Sequence, residues 1–310
     1  MKIWVLCGGE GDEREVSLSS GEAVYEAFKE RGRRVEKLDL RDRKDARAFI
    51  GKKEGFAFIA LHGGWGEDGR LQAALEMAEM PFSGSRCGAC ALAMDKAAAI
   101  AVFRDRGLPV PEGFEARRPG PGHAPAIPPV GSLLARSGRL VVKPCRSGST
   151  VGVSIIDRAP MLEAALEEAF LHDDRALVEE YIPGREITVT VLERDGTPLC
   201  LPVTEICPGE GFYDYGAKYT PGRTDYITPA LMSGAVRAEV ERIAIEAFRA
   251  LGCGAYARVD MRLDGDRPCL LEVNTVPGMT AMSLVPRAAR AAGMTFGEFL
   301  EAVVERSLTL

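Results

Sequence analysis

Two apolar runs, each ending in a glycine turn, constrain this chain more than any other feature. Residues 2–7 run into Gly8-Gly9, and residues 56–61 run into His62-Gly63-Gly64. A third strand pattern covers 35–39, and helical patterns cover 16–31 and 71–79, so strand and helix signals alternate. Such alternation predicts a parallel sheet buried between helices. In an open parallel sheet, ligands sit in loops beyond the carboxyl ends of the strands. Both glycine turns therefore point to one ligand-bearing edge.

At 310 residues the chain exceeds the usual single-domain size, so two or three cores are expected. Beyond residue 94 the pattern becomes mixed. A helix is predicted over 95–106, followed by a Pro- and Gly-rich stretch over 118–131 that reads as an exposed loop. Strands at 140–143 and 151–156 flank a Gly/Ser turn and lead to a helix over 159–171. Further strands at 186–192 and 199–204, a long Gly/Tyr/Pro loop over 208–225 and a helix over 233–251 complete an α+β region. No apolar run approaches the ~20 residues that cross a bilayer, and the amino terminus is too short in apolar residues for a signal peptide. A cytoplasmic protein is expected. A net charge of −6 with interspersed signs offers no basic field for nucleic acid or an anionic membrane. The eight cysteines read as reduced thiols; Cys87 and Cys90 form a CxxC without the second pair that a zinc site needs.

The most informative local pattern lies near the carboxyl end. Ala257-Arg258-Val259-Asp260-Met261-Arg262-Leu263 and Cys269-Leu270-Leu271-Glu272-Val273-Asn274 alternate around Asp264-Gly265-Asp266, which predicts a hairpin. Arg258 and Asp260 share one face, as do Glu272 and Asn274. A three-residue loop would set Asp260 directly opposite Glu272. Two carboxylates and an amide oxygen on one spot suit magnesium, whose other ligands are phosphates and waters. Taken alone the pattern also fits a solvated hairpin face.

Val141-Val142-Lys143-Pro144-Cys145-Arg146-Ser147-Gly148-Ser149-Thr150-Val151-Gly152-Val153 offers backbone N–H groups and the Lys143 charge to phosphate oxygens. It is not a Walker A loop, because the GxxxxGK[ST] order is missing and strand follows. A plain hairpin fits equally well. Val178-Glu179-Glu180-Tyr181-Ile182-Pro183-Gly184-Arg185-Glu186 reads as a connection between domains, a linker or a hinge that takes a nucleotide base.

Together these segments resemble the D-alanine–D-alanine ligases of the ATP-grasp superfamily. The landmarks are Gly8-Gly9 leading to Glu13-Arg14-Glu15-Val16-Ser17, Ala60-Leu61-His62-Gly63-Gly64-Trp65-Gly66-Glu67-Asp68-Gly69, and Met94-Asp95-Lys96. The glycine-rich loop follows, then Phe212-Tyr213-Asp214-Tyr215-Gly216-Ala217-Lys218-Tyr219, and last Glu272-Val273-Asn274-Thr275-Val276-Pro277-Gly278-Met279-Thr280 continuing to Ser283-Leu284-Val285-Pro286. The resemblance implies a three-domain ATP-grasp architecture, α/β and α+β, divided at 1–93, 94–178 and 179–310. It implies ATP as substrate, with Lys96, Lys143 and Lys218 on its phosphates and Ser149, Glu179, Glu180, Tyr181, Ile182 and Glu186 around it. It implies magnesium or manganese, two ions, on Asp260, Glu272 and Asn274, the last also touching ATP. Glu13, with Ser149 and Tyr219, is implied to hold the first D-alanine. Arg258, Gly278, Ser283 and Leu284 are implied at the second, with His62 nearby. A homodimer and a role in peptidoglycan synthesis are implied too.

The family chemistry, in which ATP converts one carboxylate to an acyl phosphate that a second amine attacks, needs these residue types. Lysine, metal, Arg258 and the Gly278 N–H stabilise developing charge, and the 208–225 loop is long enough to exclude water. Single members have plainer readings: His62 as a satisfied turn histidine, Glu13 as a helix cap. Rival readings are an ATP-grasp ligase with another acceptor, such as D-lactate or D-serine, and a nucleotide-binding regulator without catalysis. A dinucleotide oxidoreductase is disfavoured because Gly8-Gly9-Glu10-Gly11 lacks GxGxxG spacing.

Overall fold

The computed structural model describes residues 1–11, 13–50, 54–120, 130–148, 150–209 and 223–310. The chain begins with β1 (Ile3–Gly8), α1 (Arg14–Glu30), β2 (Val35–Leu40), α2 (Arg43–Ile50) and β3 (Phe56–Ile59), then α3 (Gly64–Glu67), α4 (Arg70–Met77) and α5 (Cys87–Met94). The three strands form a parallel sheet in the order β2-β1-β3. Every residue of β1 and β3 is buried because both faces are covered. Strand alternation sends Ile3, Val5 and Phe58 toward Val24 and Phe28 of α1, and sends Trp4, Leu6 and Ile59 toward Phe49 of α2 and Leu71 and Leu75 of α4.

The middle of the chain supplies α6 (Lys96–Asp105), β4 (Gly113–Arg117), α7 (Gly131–Ser137), β5 (Leu140–Pro144), β6 (Ser154–Ile156), α8 (Leu162–Phe170) and β7 (Arg175–Glu180). Its strands form an antiparallel sheet, β4-β7-β5-β6. Leu140, Val142, Ile156 and Val178 share a core with Leu162, Leu166 and Ala169 of α8, leaving Val141, Lys143 and Glu179 on the other face.

The last part contains β8 (Arg185–Arg194), β9 (Thr197–Cys200), β10 (Thr204–Pro208), β11 (Thr224–Ile227), α9 (Gly234–Ala250), β12 (Tyr256–Asp264), β13 (Arg267–Asn274), α10 (Leu284–Ala291) and α11 (Phe296–Ser307). A six-stranded sheet runs β11-β10-β8-β12-β13 with β9 beside β8. Its core face packs Ile187, Val189, Val259 and Met261 against Val240 and Ile243 of α9 and Phe103 of α6. Helix α11 opens on a capping box between Thr295 and Glu298, and packs Phe299, Leu300 and Val303 into the same core as Ile3 and Phe28.

The α/β then α+β division is therefore present, with local departures from the predicted elements. The strand expected over 151–156 starts only at Ser154, because Val151 and Gly152 make a turn. A Cβ at Gly152, whose φ is +70°, would lie 2.6 Å from His172 and 2.9 Å from Pro144. The helix expected over 159–171 opens as a 3-10 turn carrying Pro160, which cannot donate to a preceding turn. The strand expected over 199–204 splits into β9 and β10. The connection read over 178–186 shrinks to 181–184, because β7 runs to Glu180 and β8 begins at Arg185. The centre of the Pro-rich stretch, 121–129, and the centre of the long loop, 210–222, lie outside the described residues. The ends of that loop are paired, Pro208 opposite Thr224 on β10 and β11.

Candidate active site

The carboxyl-terminal hairpin brings its acids together by a route the sequence pattern did not show. Asp264 pairs with Arg267, so the loop is the two residues Gly265-Asp266 rather than three. An unbroken ladder from that turn would put Leu271 opposite Asp260. A bulge next to Met261 absorbs one residue of β13, and the register resumes with Asp260 opposite Glu272 and Arg258 opposite Asn274. The bulge turns Leu271 and Glu272 to the same side, where both line a cavity of about 580 Å³. Their neighbours Leu270 (0% exposed) and Val273 (3%) remain in the core.

Two carboxylates facing across a strand pair repel, and the site answers with cations. Asp260 accepts from Arg258 (Nε 2.9 Å, Nη2 2.7 Å), from Thr188 Oγ1 (2.5 Å) and from Asn274 Nδ2 (3.0 Å). Glu272 lies 3.5 Å from Lys96 Nζ. Among the described residues no group of three or more His, Cys, Asp and Glu side chains is placed to hold a metal. Asp260, Glu272 and Asn274 nonetheless present only hard oxygen donors from one face, and two carboxylates with an amide fit a divalent cation that completes its shell with phosphate and water.

The glycine-rich turn faces this hairpin. Lys96 opens α6, and Asp95 caps that helix by accepting from the Ala98 N–H (3.1 Å). The Lys96 ammonium donates to the Ser147 carbonyl (2.7 Å) while lying beside Glu272, so one side chain spans turn and hairpin. Lys143 on β5 and Glu179 on β7 are diagonal neighbours on the open face of their sheet and pair at 2.5 Å, at 8% and 3% exposure. Burial alone would lower the Lys143 pKa, but Glu179 and then Glu272 outweigh it and hold the ammonium above its ordinary range. The same interaction places Lys143 within electrostatic reach of the hairpin acid. The buried Glu179 Oε2 accepts no hydrogen bond, which leaves an acceptor on a cavity-lining residue for a donor such as an exocyclic amine. Arg262 fastens the 181–184 connection to β12, donating to the carbonyls of Ile182 (3.2 Å) and Gly184 (2.7 Å) and to Tyr181 Oη (3.3 Å). Glu186 pairs with it at 3.4 Å, and Glu180 pairs with Arg136 at 3.3 Å.

The glycine turns of the parallel sheet close the other end of the cavity. Glu13 stands at the amino-terminal cap position of α1, yet its side chain makes no capping hydrogen bond. Its carboxylate instead lies against two glycines: a Cβ would come within 2.4 Å of it at Gly63 and 3.2 Å at Gly148. Gly63 has φ +66°, so a side chain there is excluded by backbone as well as by space. His62 Nδ1 donates to the Val276 carbonyl (3.0 Å), which leaves Nε2 to accept from Ser20 Oγ (2.9 Å); Ser20 Oγ in turn accepts from the Met279 N–H (3.2 Å). Burial holds the His62 pKa below its ordinary value although Glu13 pulls the other way. The ring is thus a neutral strut between α1 and the 275–279 loop. In that loop a Cβ at Gly278 would lie 2.9 Å from Ser283 Oγ, which also bonds the Thr280 N–H (3.0 Å). Leu284 packs with Ile206 and Tyr226 beside the cavity.

The chain matches the carboxyl-terminal domain family of D-ala D-ala ligases over residues 137–305 and the amino-terminal domain family over 31–85. It is 44% identical to the D-alanine--D-alanine ligase of Syntrophotalea carbinolica, over 98% of this chain and 95% of that protein. It is 41% identical to that of Halalkalibacterium halodurans, over 99% of each. The chain belongs to the D-alanine–D-alanine ligase family. A crystal structure of the Bacillus anthracis D-alanine--D-alanine ligase complexed with ATP superposes with a TM-score of 0.83 at 30% identity, covering 100% of this chain and 97% of that one.

Of the ligase positions singled out in the sequence, the structure gathers Glu13, His62, Lys96, Lys143, Glu179, Glu180, Tyr181, Ile182 and Glu186 around one cavity. Arg258, Asp260, Glu272, Asn274, Gly278, Ser283 and Leu284 line it as well. Ser149, Lys218 and Tyr219 lie outside the described residues. Glu67, Arg262 and Leu271 are among the lining residues that escaped sequence reasoning. Arg262 and Arg258 share a strand face, so parity alone could have found Arg262. Leu271 could not be found that way, because only the bulge turns it inward. If a nucleotide packs on Leu271, Leu271→Ala is expected to lose about 1–3 kcal/mol of apolar contact, raising KM for ATP by about five- to a hundredfold with kcat little changed. Steady-state kinetics at saturating amino acid tests this.

Proposed function

We propose that this cleft joins two D-alanine molecules, first phosphorylating one carboxylate with ATP and then passing the acyl group to the amine of the other. The contact that carries this reading is Lys96, whose ammonium touches both the Ser147 carbonyl of the turn and Glu272 of the hairpin. That contact brings the glycine-rich turn and the hairpin acids to one place, as a metal-bound triphosphate held between them would need. On this reading the adenine lies between the 179–182 segment and Leu271, near the unpartnered Glu179 Oε2, and the ribose lies toward Glu186. Lys96, Lys143, Lys218 and Ser149 hold the phosphates. Asp260, Glu272 and Asn274 hold magnesium or manganese, two ions, which when bound supply positive charge to the transferring phosphoryl group. Glu13 fixes the ammonium of the first D-alanine, with Ser149 and Tyr219 beside it.

The carboxylate oxygen of that first molecule attacks the γ-phosphorus, and the bond to the β-phosphate oxygen breaks to release ADP. The second D-alanine is held through its carboxylate by Arg258, the Gly278 N–H and Ser283, with Leu284 against its methyl. Its amine attacks the acyl carbon, and Arg258 and the Gly278 N–H face the oxyanion that forms. The bond to phosphate then breaks. We assign the product to peptidoglycan synthesis, the location to the cytoplasm and the assembly to a homodimer, as the family resemblance implies. The three functional divisions are taken as 1–93, 94–178 and 179–310, the second boundary passing through β7.

Purified protein given ATP, Mg²⁺ and D-alanine is expected to release phosphate in step with D-alanyl-D-alanine. L-alanine is expected to support little turnover, because in the second site the carboxylate is fixed by Arg258, the Gly278 N–H and Ser283, the amine by the acyl carbon it attacks and the methyl by Leu284, and three fixed substituents distinguish the two hands. Equal use of the two enantiomers would reject the assignment. A panel of acceptors read by mass spectrometry separates an amine acceptor from D-lactate.

A further inference from the structure

The amine that attacks the acyl phosphate is an ammonium before it attacks, so a group in the cleft has to take its proton. His62 does not offer one: both ring nitrogens are engaged, with Val276 and Ser20. Lys96 and Arg258 are cations held by acids. Asp260 already accepts from three side chains. Glu67 is placed differently. It is the last residue of α3, half-buried, and lines the cavity. One of its carboxyl oxygens accepts from the Gly63 N–H at 2.9 Å. Gly63 is also the residue against which Glu13 Oε2 lies, so two carboxyl groups flank one glycine.

We propose that the Glu67 carboxylate takes the proton shed by the second amino acid's ammonium, an assignment that rests on the ligase reading above. The N–H bond breaks and an O–H bond forms on Glu67. The freed nitrogen lone pair makes the C–N bond, and the electron pair of the breaking C–O bond leaves with phosphate, which carries off the second amine proton as the intermediate collapses. The groups facing Glu67 are Glu13 from the start of α1, Arg258 and Tyr256 of β12, Lys96 of α6 and Cys90 of α5. Burial, then the charge of Glu13, push Glu67 up to about 7, while the Gly63 N–H, Arg258 and Lys96 pull it down. Glu67 thus stands beside a second carboxyl group with its own titration raised. Glu13 is suited to hold a cation, and Glu67 to exchange a proton near neutrality.

The test is Glu67→Gln, read with two nucleophiles. Dipeptide formation from D-alanine is expected to fall by about a hundredfold or more. Trapping of the acyl phosphate by hydroxylamine, which is already neutral near pH 7, is expected to stay within about twofold of the parent. In the parent, kcat for dipeptide is expected to fall below about pH 7, and Glu67→Gln is expected to lose that acid limb. Glu67→Asp, which keeps a carboxyl, is expected to regain part of the rate together with the limb. A structural role predicts instead that dipeptide and hydroxamate fall together, or that the limb persists in Glu67→Gln; either result overturns the proposal. A parent enzyme that makes neither product would overturn the ligase reading itself.

Folding of the variant is checked independently. The Glu67 pKa is raised in the folded state, so the stability it contributes is present below the ordinary carboxylate range and is lost as pH rises through about 7. Glutamine has no such loss, so Glu67→Gln is expected to melt above the parent at pH 8 and not at pH 5.

Discussion

Glu272→Gln is expected to cut turnover by about two orders of magnitude or more while leaving the fold intact. The change keeps the shape of the side chain and removes one charge from a site with two carboxylates, so metal affinity and charge stabilisation fall together. Lys96 loses a carboxylate at 3.5 Å but keeps its hydrogen bond to the Ser147 carbonyl at 2.7 Å, and the glutamine amide oxygen can still accept from it. The expected signature is a raised Mg²⁺ requirement, only part of the rate recovered at high metal, and an unchanged far-UV spectrum. Unchanged activity at ordinary Mg²⁺ would remove Glu272 from the site.

Arg258→Ala is expected to lower kcat/KM for the second D-alanine by about a hundredfold or more, with KM for ATP within about twofold. Arg258 is held by Asp260 through two hydrogen bonds, at 2.9 and 2.7 Å, so its guanidinium is already fixed in the plane a carboxylate needs. Arg258→Lys is expected to recover little, because an ammonium cannot hold Asp260 with one edge and a substrate with the other. A variant that loses ATP binding instead would place Arg258 at the nucleotide. Initial rates with each substrate varied in turn separate the two outcomes.

Much of this site was legible in the residues because strand parity is robust. Arg258 with Asp260, and Glu272 with Asn274, share a face whatever the turn does. Their meeting across the hairpin was anticipated through a three-residue loop, and it occurs through a two-residue loop plus one bulged residue. Two irregularities leave the same residues opposed, and neither has a marker in side-chain pattern, since a bulge at Leu271 depends on what both faces pack against. The short strand at 154–156 was overextended because Val151 and Val153 read as strand, whereas Gly152 has to bend around Pro144 and His172. Glu67 was passed over for a different reason. Inside Gly63-Gly64-Trp65-Gly66-Glu67-Asp68-Gly69 it looks like one acid among turn residues. Its character comes from Glu13, Lys96 and Arg258, which only the tertiary fold brings near. The fold class was easier, since alternating buried strands and helices admit few layer arrangements.

The core that α11 shares with β1 and α1 bears on how the cleft can open. Phe299, Leu300 and Val303 interlock with Ile3, Phe28 and Phe58, Leu192 and Tyr256 of the large sheet enter the same cluster, and Arg31 and Arg33 both clasp Glu301. Among the described residues that arrangement interlocks the first and last parts of the chain into a single anvil. The four-stranded sheet has its own core and joins the remainder through a small contact of Ile100, Cys145 and Leu177. Among the described residues, tilting that jaw would disturb a smaller apolar cluster than parting the anvil would.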